Sequence, residues 1–392
     1  MMAALWTSGF RPFFLLGAAY GPFIIVMWMP AAGGLFGAAT PPLWHGHEML
    51  FGFAAAFICG FVLTALPSWA GATEIKGRPL QLLVVLWLAG RAGSWLGTAW
   101  PTLGGVLDLL LFVSLAALVL PGLVRVVDKR YLALLPILFC LVLADCIYYV
   151  ALWSGDLRSA EHALLLAVNV LTVLFAVIGG LLTPIFTETA LHEAGLSFRF
   201  RFLPALEFAA IASAVLFAAA DWIAVPPRVN GAIAGAVAVI HLVRLARWQH
   251  RRIWTMPMIL SMHIGYAWLV AAMALRGAAD LLGLVPRPVW IHAFTVGALG
   301  MMMLSFLNRV TLRHTGRALV LAVHMQAGLA IMLAAGLIRV GTGLFDAGPA
   351  WVAAAGWLWA APFALFLCAD GPKLWRPSLP RGKVEAAAMF KE

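Results

Sequence analysis

The stretch ALLLAVNVLTVLFAVIGGLL, residues 163–182, runs for twenty residues without a single charge. As a helix it would be about 30 Å long, which is the thickness of the hydrocarbon core of a bilayer. Similar runs recur along the chain. Cutting wherever proline, glycine or charge interrupts them gives twelve spans, with approximate limits 10–31, 46–67, 80–98, 103–125, 131–154, 161–190, 200–220, 229–247, 256–276, 289–310, 318–338 and 348–370. Composition agrees, because 64% of the 392 residues are hydrophobic and only 11% charged, with a mean hydropathy of +0.97. Water-soluble domains carry about 45–50% apolar and about 25% charged residues. The expected fold is an all-α polytopic helical bundle of about twelve transmembrane helices. It forms one integral-membrane domain over residues 1–392, with a short tail at 371–392 and no soluble domain. Disorder, a coiled coil and a disulfide scaffold are excluded, and Cys59, Cys140, Cys146 and Cys368 all sit in apolar runs as packing residues.

No small-residue cleavage site follows the first span, and Arg11-Pro12 lies inside its apolar onset, so it reads as a retained helix. The formal net charge of +10 would suggest nucleic acid if the basic residues gathered on one element. They are scattered singly and in pairs, which membrane topology explains better. Alternating the twelve spans puts 20 of the 26 Lys and Arg on the side of the N-terminus. Arg91, Arg158, Arg228, Arg276, Arg287 and Arg339 fall on the other side. Both termini are therefore expected in the cytoplasm, with nucleic acid excluded as a partner and the lipid bilayer as surroundings.

Ionisable groups are costly in hydrocarbon, so the few present mark where chemistry could occur. Histidine stands out, with ten residues, and the densest group is WHGHEMLFGF, residues 44–53. On a regular helix His45 shares a stripe with Glu48, Gly52, Ala56 and Cys59 or Gly60. His47 lies about 200° away from His45 and would serve a second partner unless the first turn is distorted. The ninth span carries His263 and Tyr266 on one face, and the tenth carries His292 followed by Thr295, Gly297, Gly300 and Met301 to Met303. By the topology above, His45, His47 and His292 share one depth on the outer side and could form a single site, with His263 nearer the cytoplasm. Neutral imidazole suits haem iron, copper or zinc, and no CxxC, HExxH or CxxCH pattern supports a zinc hydrolase or a covalently attached haem. A lone histidine at a helix end is more often an interfacial polar group than a ligand, and a stripe of small residues more often packs helices than admits a cofactor. Asp145, the deepest carboxylate by this reading, should be protonated or paired, as a structural hydrogen bond or as part of a proton path. Glu48 is a proton donor or an orienter of the neighbouring ligands. His162, His192, His241, His250 and His314 read as capping, interfacial or loop residues first, while His324, inside the eleventh span, could face His263 across the bundle. The tryptophans mark the interfaces.

Five segments together resemble the NnrS family. They are GFRPFF (9–14), WHGHEMLFGF (44–53), HIGY (263–266), HAFTVGA (292–298) and RVTLRHTGR (309–317), in family order along the chain. The resemblance implies a bacterial inner-membrane protein of the nitric oxide and nitrosative-stress response, tied to denitrification and containing haem b and copper. It carries over His45, His47, His263, His292 and His314 as family histidines. His45, His47, His263 and His292 are the candidate metal ligands, Arg11 and Arg309 candidate cofactor-binding cations, and Glu48 and Tyr266 candidate catalytic groups. The segment GGLLTPIFT (179–187) departs from the family pattern, because Leu181 and Leu182 stand where a basic residue is expected after the glycines. A haem propionate would then need another cation, for example Arg91 or Arg309.

Three readings follow. The first is a haem protein that binds nitric oxide and reduces it with electrons from a quinol or membrane carrier, as a nitric oxide reductase-type oxidoreductase. The second is a non-catalytic sensor with the same ligands. The third is a transporter of a metal or iron–nitrosyl species, although residues 1–190 and 200–370 show no convincing twofold repeat of broken helices.

Overall fold

The computed structural model describes residues 2–28, 41–95, 101–126 and 132–380. The ends of the first and third sequence-derived spans, the start of the fifth, Trp100, Lys129, Arg130 and the tail beyond residue 380 lie outside the described residues. Among the described residues every regular element is a helix. In chain order the α-helices are α1 (Phe10–Trp28), α2 (Pro41–His47), α3 (Ala55–Ala70), α4 (Arg78–Trp95), α5 (Pro101–Arg125), α6 (Leu134–Ser154), α7 (Leu157–Leu174) and α8 (Gly180–Glu193). There follow α9 (Pro204–Trp222), α10 (Pro227–Ala246), α11 (Pro257–Leu282), α12 (Pro288–His292), α13 (Gly300–His314), α14 (Val323–Leu344), α15 (Pro349–Ala369) and α16 (Pro372–Trp375). A chain in lipid has no water to satisfy its backbone, so long apolar runs close their hydrogen bonds internally. Local sequence sets the ends. Proline opens α9, α10, α11 and α12, where its missing N–H costs nothing, and left-handed Gly71, Gly155 and Gly283 close α3, α6 and α11.

Among the described residues, eleven rods are long and apolar enough to cross a membrane. The expected third span, 80–98, is the helix α4, which falls short on composition because it carries Arg78 and Arg91. Its faces nonetheless suit a lipid surround. Leu82, Val85 and Leu88 are exposed on one side, while Leu80, Leu83, Val84, Trp87 and Arg91 are buried on the other.

Among the described residues, three rods are not plain α-helices. Glu48–Ala54 joins α2 to α3, Phe175–Gly179 joins α7 to α8, and Ala293–Leu299 joins α12 to α13, each as a π-helical segment. They fall in the second, sixth and tenth of the sequence-derived spans, and each has glycine at its fifth position, Gly52, Gly179 and Gly297. His47 and His292 immediately precede two of them, and Leu174 the third. A wide turn leaves backbone carbonyls without their usual helical donor. Trp87 Nε1–H donates to Gly52 O at 3.1 Å, and Arg244 Nη1–H donates to Ala176 O at 2.7 Å. Glycine is needed at two of the three positions. A Cβ on Gly52 would sit 2.6 Å from Tyr20 Cε1, and one on Gly297 would sit 2.7 Å from Trp268 Cγ.

The chain divides into two compact units. Unit one comprises Met1–Ala167, Phe306–Val320 and Phe363–Glu392, and unit two comprises Val168–Ser305 and Leu321–Pro362. In unit one α1 packs along α3, α4 along α5, and α5 against α6, over a core that includes Phe13, Phe14, Phe51, Phe57, Phe112 and Phe363. The α4–α5 approach is close because glycine faces glycine. A Cβ on Gly93 would lie 2.5 Å from Gly104 Cα, the small-residue packing that brings membrane helices together. In unit two α11 is the centre, touching α8, α10, α14 and the Ala293–Leu299 segment. Here Arg276 binds Asp221 at 2.5 Å and Asp280 at 2.6 Å, and Asn169 and Asn230 donate to Asp221 at 2.8 and 2.7 Å. Arg287 also donates to Asp280 at 3.0 Å, so two carboxylates meet two guanidiniums in a lock that joins α7, α9, α10 and α11.

Candidate functional site

The sequence WHGHE ends α2 and enters the first wide turn. His45 and His47 come to occupy different surroundings. His45 is half-buried, and its ring stacks on Trp28 with centroids 4.6 Å apart. His47 is 1% exposed and points into unit one, where its ring stacks on Tyr148 at 4.5 Å. Both its nitrogens face carboxylates. Nδ1 lies 2.9 Å from Glu48 Oε1, and Nε2 lies 2.9 Å from Asp145 Oδ1 and 3.9 Å from Asp108 Oδ2.

Glu48 is 0% exposed and accepts from several groups. Arg91 Nη1–H donates to its Oε1 at 2.6 Å and Ser94 Oγ–H donates to the same oxygen at 2.5 Å, while the Tyr20 hydroxyl donates to Oε2. The other fork of Arg91 binds Asp108, whose Oδ2 also accepts from the Tyr149 hydroxyl at 2.9 Å. The glycine contact described above sets this pair opposite one another, since Arg91 lies two residues before Gly93 and Asp108 four after Gly104. Asp145 completes the group from α6. It is 0% exposed, and its Oδ2 has no hydrogen-bond partner. Among the described residues, His47, Asp108 and Asp145 form the group of three whose ligand atoms lie within 4.8 Å of one another.

Two of these partners were not visible as a set from sequence. Asp145 emerges paired, with His47. Asp108 was passed over in its apolar span, and Arg91 was read only as a cation for a propionate, whereas it is committed to Glu48 and Asp108. The signal that could have found them is a pair of opposite charges on consecutive spans, each within one helical turn of a glycine.

Arg11 ties the start of α1 to the C-terminal segment of the same unit. Its guanidinium donates to Leu374 O at 2.7 Å, Arg376 O at 2.9 Å and Ser378 Oγ at 2.8 Å. Arg309 is buried in α13, and the His314 ring packs on Phe10 at 5.5 Å.

His263 and His292 belong to unit two, with different partners. Thr187 Oγ1 donates to Thr183 O at 2.7 Å and so accepts from His263 Nε2–H at 3.0 Å, while Gln249 Nε2–H donates to His263 Nδ1 at 3.0 Å. His263 is thus a neutral imidazole satisfied on both sides. His292 Nδ1–H donates to Pro288 O at 2.9 Å, which turns the Nε2 lone pair outward, where it accepts from Arg339 at 3.0 Å. Tyr266, one turn beyond His263, lies in a second buried network. His241 Nε2–H donates to Ala210 O at 3.1 Å, so its Nδ1 accepts from the Tyr266 hydroxyl at 2.6 Å. Arg244 then donates to the phenol oxygen at 2.9 Å and also binds Glu207. His241, read from sequence as an interfacial residue, is therefore the hydrogen-bond acceptor of Tyr266.

The fold and these clusters define a class: a multi-pass all-helical membrane protein whose wide helical turns are each bordered by a histidine or arginine network. Within that class the chain belongs to the NnrS family, whose family model, described as NnrS protein, matches residues 4–378, nearly the whole chain. No curated protein matches it.

Proposed function

We propose that this protein serves the nitric oxide response in the bacterial inner membrane, binding nitric oxide at a His-ligated haem b. The observation that carries this reading is family membership over residues 4–378, which fits a nitric oxide response protein. An apolar, lipid-facing bundle suits the ligand, since nitric oxide is small, neutral and soluble in hydrocarbon.

Of the four candidate ligands, His47, His263 and His292 can be compared by their partners. His47 Nε2 opens onto the carboxylates of Asp145 and Asp108, and His263 has a hydrogen-bond partner at each nitrogen, so neither suits haem iron. His292 fits best. A carbonyl holds its Nδ1–H, the arrangement that fixes the tautomer of metal-binding histidines, and its Nε2 is directed at a cation rather than a carboxylate. With haem bound, His292 would hold the iron and Arg339 would be released to pair with a propionate, in place of the absent basic residue after Gly180. Haem supplies the iron that binds nitric oxide. Tyr266, with His241 and Arg244 on its hydroxyl, would hold a proton within the same unit.

Absorption spectra of detergent-purified protein test this reading. A haem b spectrum is expected, shifted by anaerobic nitric oxide after reduction and lost in His292→Ala. Nitrous oxide formed with a quinol donor makes the protein a reductase, and a shift without product makes it a sensor. A purified protein with no haem spectrum after reconstitution overturns the reading.

A further inference from the structure

The His47 cluster holds a contradiction that hydrogen bonds alone do not resolve. Glu48 Oε1 accepts from Arg91 and Ser94, so it is a carboxylate oxygen, and the proton between it and His47 must sit on Nδ1. In neutral imidazole Nε2 is then a lone pair, facing Asp145 Oδ1 at 2.9 Å, and two acceptors at that distance need something positive between them. One proton could bridge these two atoms. It would leave Asp145 Oδ2 buried and without a partner, and such a group costs about 1–3 kcal/mol or more when charged. It would also leave the charges unmatched. Glu48, Asp108 and Asp145 bring three negative charges against Arg91 and that proton, an excess of one; without the proton the excess is two, which a divalent cation matches. Asp108 Oδ2 points to the same place, 3.9 Å from Nε2.

We propose that His47 Nε2, Asp108 and Asp145 bind one divalent transition-metal cation, at a site separate from the haem. The donor set of one imidazole and two carboxylates selects zinc, manganese, iron or Cu(II) over magnesium and calcium, which prefer oxygen alone, and over Cu(I), which prefers sulfur. Ligand distances of about 2.0–2.2 Å are reached by a small outward movement of the three donors. Glu48 is the outer partner that holds the imidazole with Nε2 free for the metal, and Arg91 and Ser94 hold Glu48. Every ligand comes from unit one. The site therefore stands or falls independently of His292.

The experiment uses the full chain in detergent, stripped with chelator, incubated with Zn²⁺ and desalted before metal analysis. One retained zinc per chain is expected, falling at least tenfold in Asp145→Asn and Asp108→Asn. His250→Ala, which removes a loop imidazole, should leave it unchanged. Cu²⁺ in the unaltered protein provides a second readout that needs no variant to fold. Its paramagnetic resonance spectrum should show one nitrogen with oxygen ligands. Haem absorbance recorded on the same samples separates this site from the haem site. Zinc retained undiminished in Asp145→Asn, no zinc retained by the unaltered protein, or a Cu²⁺ spectrum with three or four nitrogens would each overturn the proposal.

Discussion

Arg91 is the group whose removal should be felt most. It is buried, it is shared between Glu48 and Asp108, and both carboxylates are themselves out of contact with solvent. In Arg91→Ala two buried acceptors lose their cation while Asp145 remains nearby, which raises the uncompensated charge of the cluster by one. Breaking a buried pair by removing one member costs about 3–5 kcal/mol. Membrane interactions can be worth less, because the unfolded chain also finds partners in the micelle, so about 3 kcal/mol is the figure to test. The assay is equilibrium unfolding in mixed micelles, run as a cycle with Asp108→Asn and the double variant. The single arginine variant should be destabilised by about 3 kcal/mol, and the double variant should be more stable than Arg91→Ala alone, because one stranded charge has been removed. An Arg91→Ala protein within about 0.5 kcal/mol of the parent, or a strictly additive cycle, would refute the reasoning.

Two further outcomes follow from close contacts. Gly52→Ala places a Cβ 2.6 Å from the Tyr20 ring, so its thermal midpoint should fall by the equivalent of about 1–3 kcal/mol, while Gly235→Ala, which meets nothing within 4 Å, should match the parent in the same scan. Tyr266→Phe strands His241 Nδ1 and one donor of Arg244, a loss of about 1–3 kcal/mol in unfolding measurements, with the haem spectrum unchanged if His292 holds the iron.

Much of the architecture could be read in advance because lipid imposes it. Uninterrupted apolar runs, proline at helix starts and glycine at helix ends located the rods with little need of tertiary information. Only α4 was awkward, since Arg91 lowers its apolar character while being buried against a partner. The wide turns were not readable. A π segment differs from an α-helix by hydrogen-bond register rather than by residue type, so WHGHEMLFGF and HAFTVGA drew attention as motifs without showing their winding. The wide turns recur at spans two, six and ten, a spacing that a comparison of two halves does not display. For the site, histidines were found by type and depth, but which of them meets a carboxylate depends on contacts between α2, α5 and α6. The pairing of Asp108 with Arg91 depends on a glycine contact that no single segment displays.

The turn at Glu48–Ala54 has a consequence for how this chain tolerates insertion and deletion. One residue along a helix corresponds to about 100° of rotation, and a π turn accommodates one residue more than an α turn does. Removing a single residue there, such as Met49, would restore a plain helix and swing His47 roughly a quarter of the way round, away from Asp145 and toward lipid or a neighbouring helix. Substitutions in this segment are bounded by packing, but its length is bounded by angular phase, and so sequences that keep this histidine nest should keep the residue count between the histidine and the following glycine.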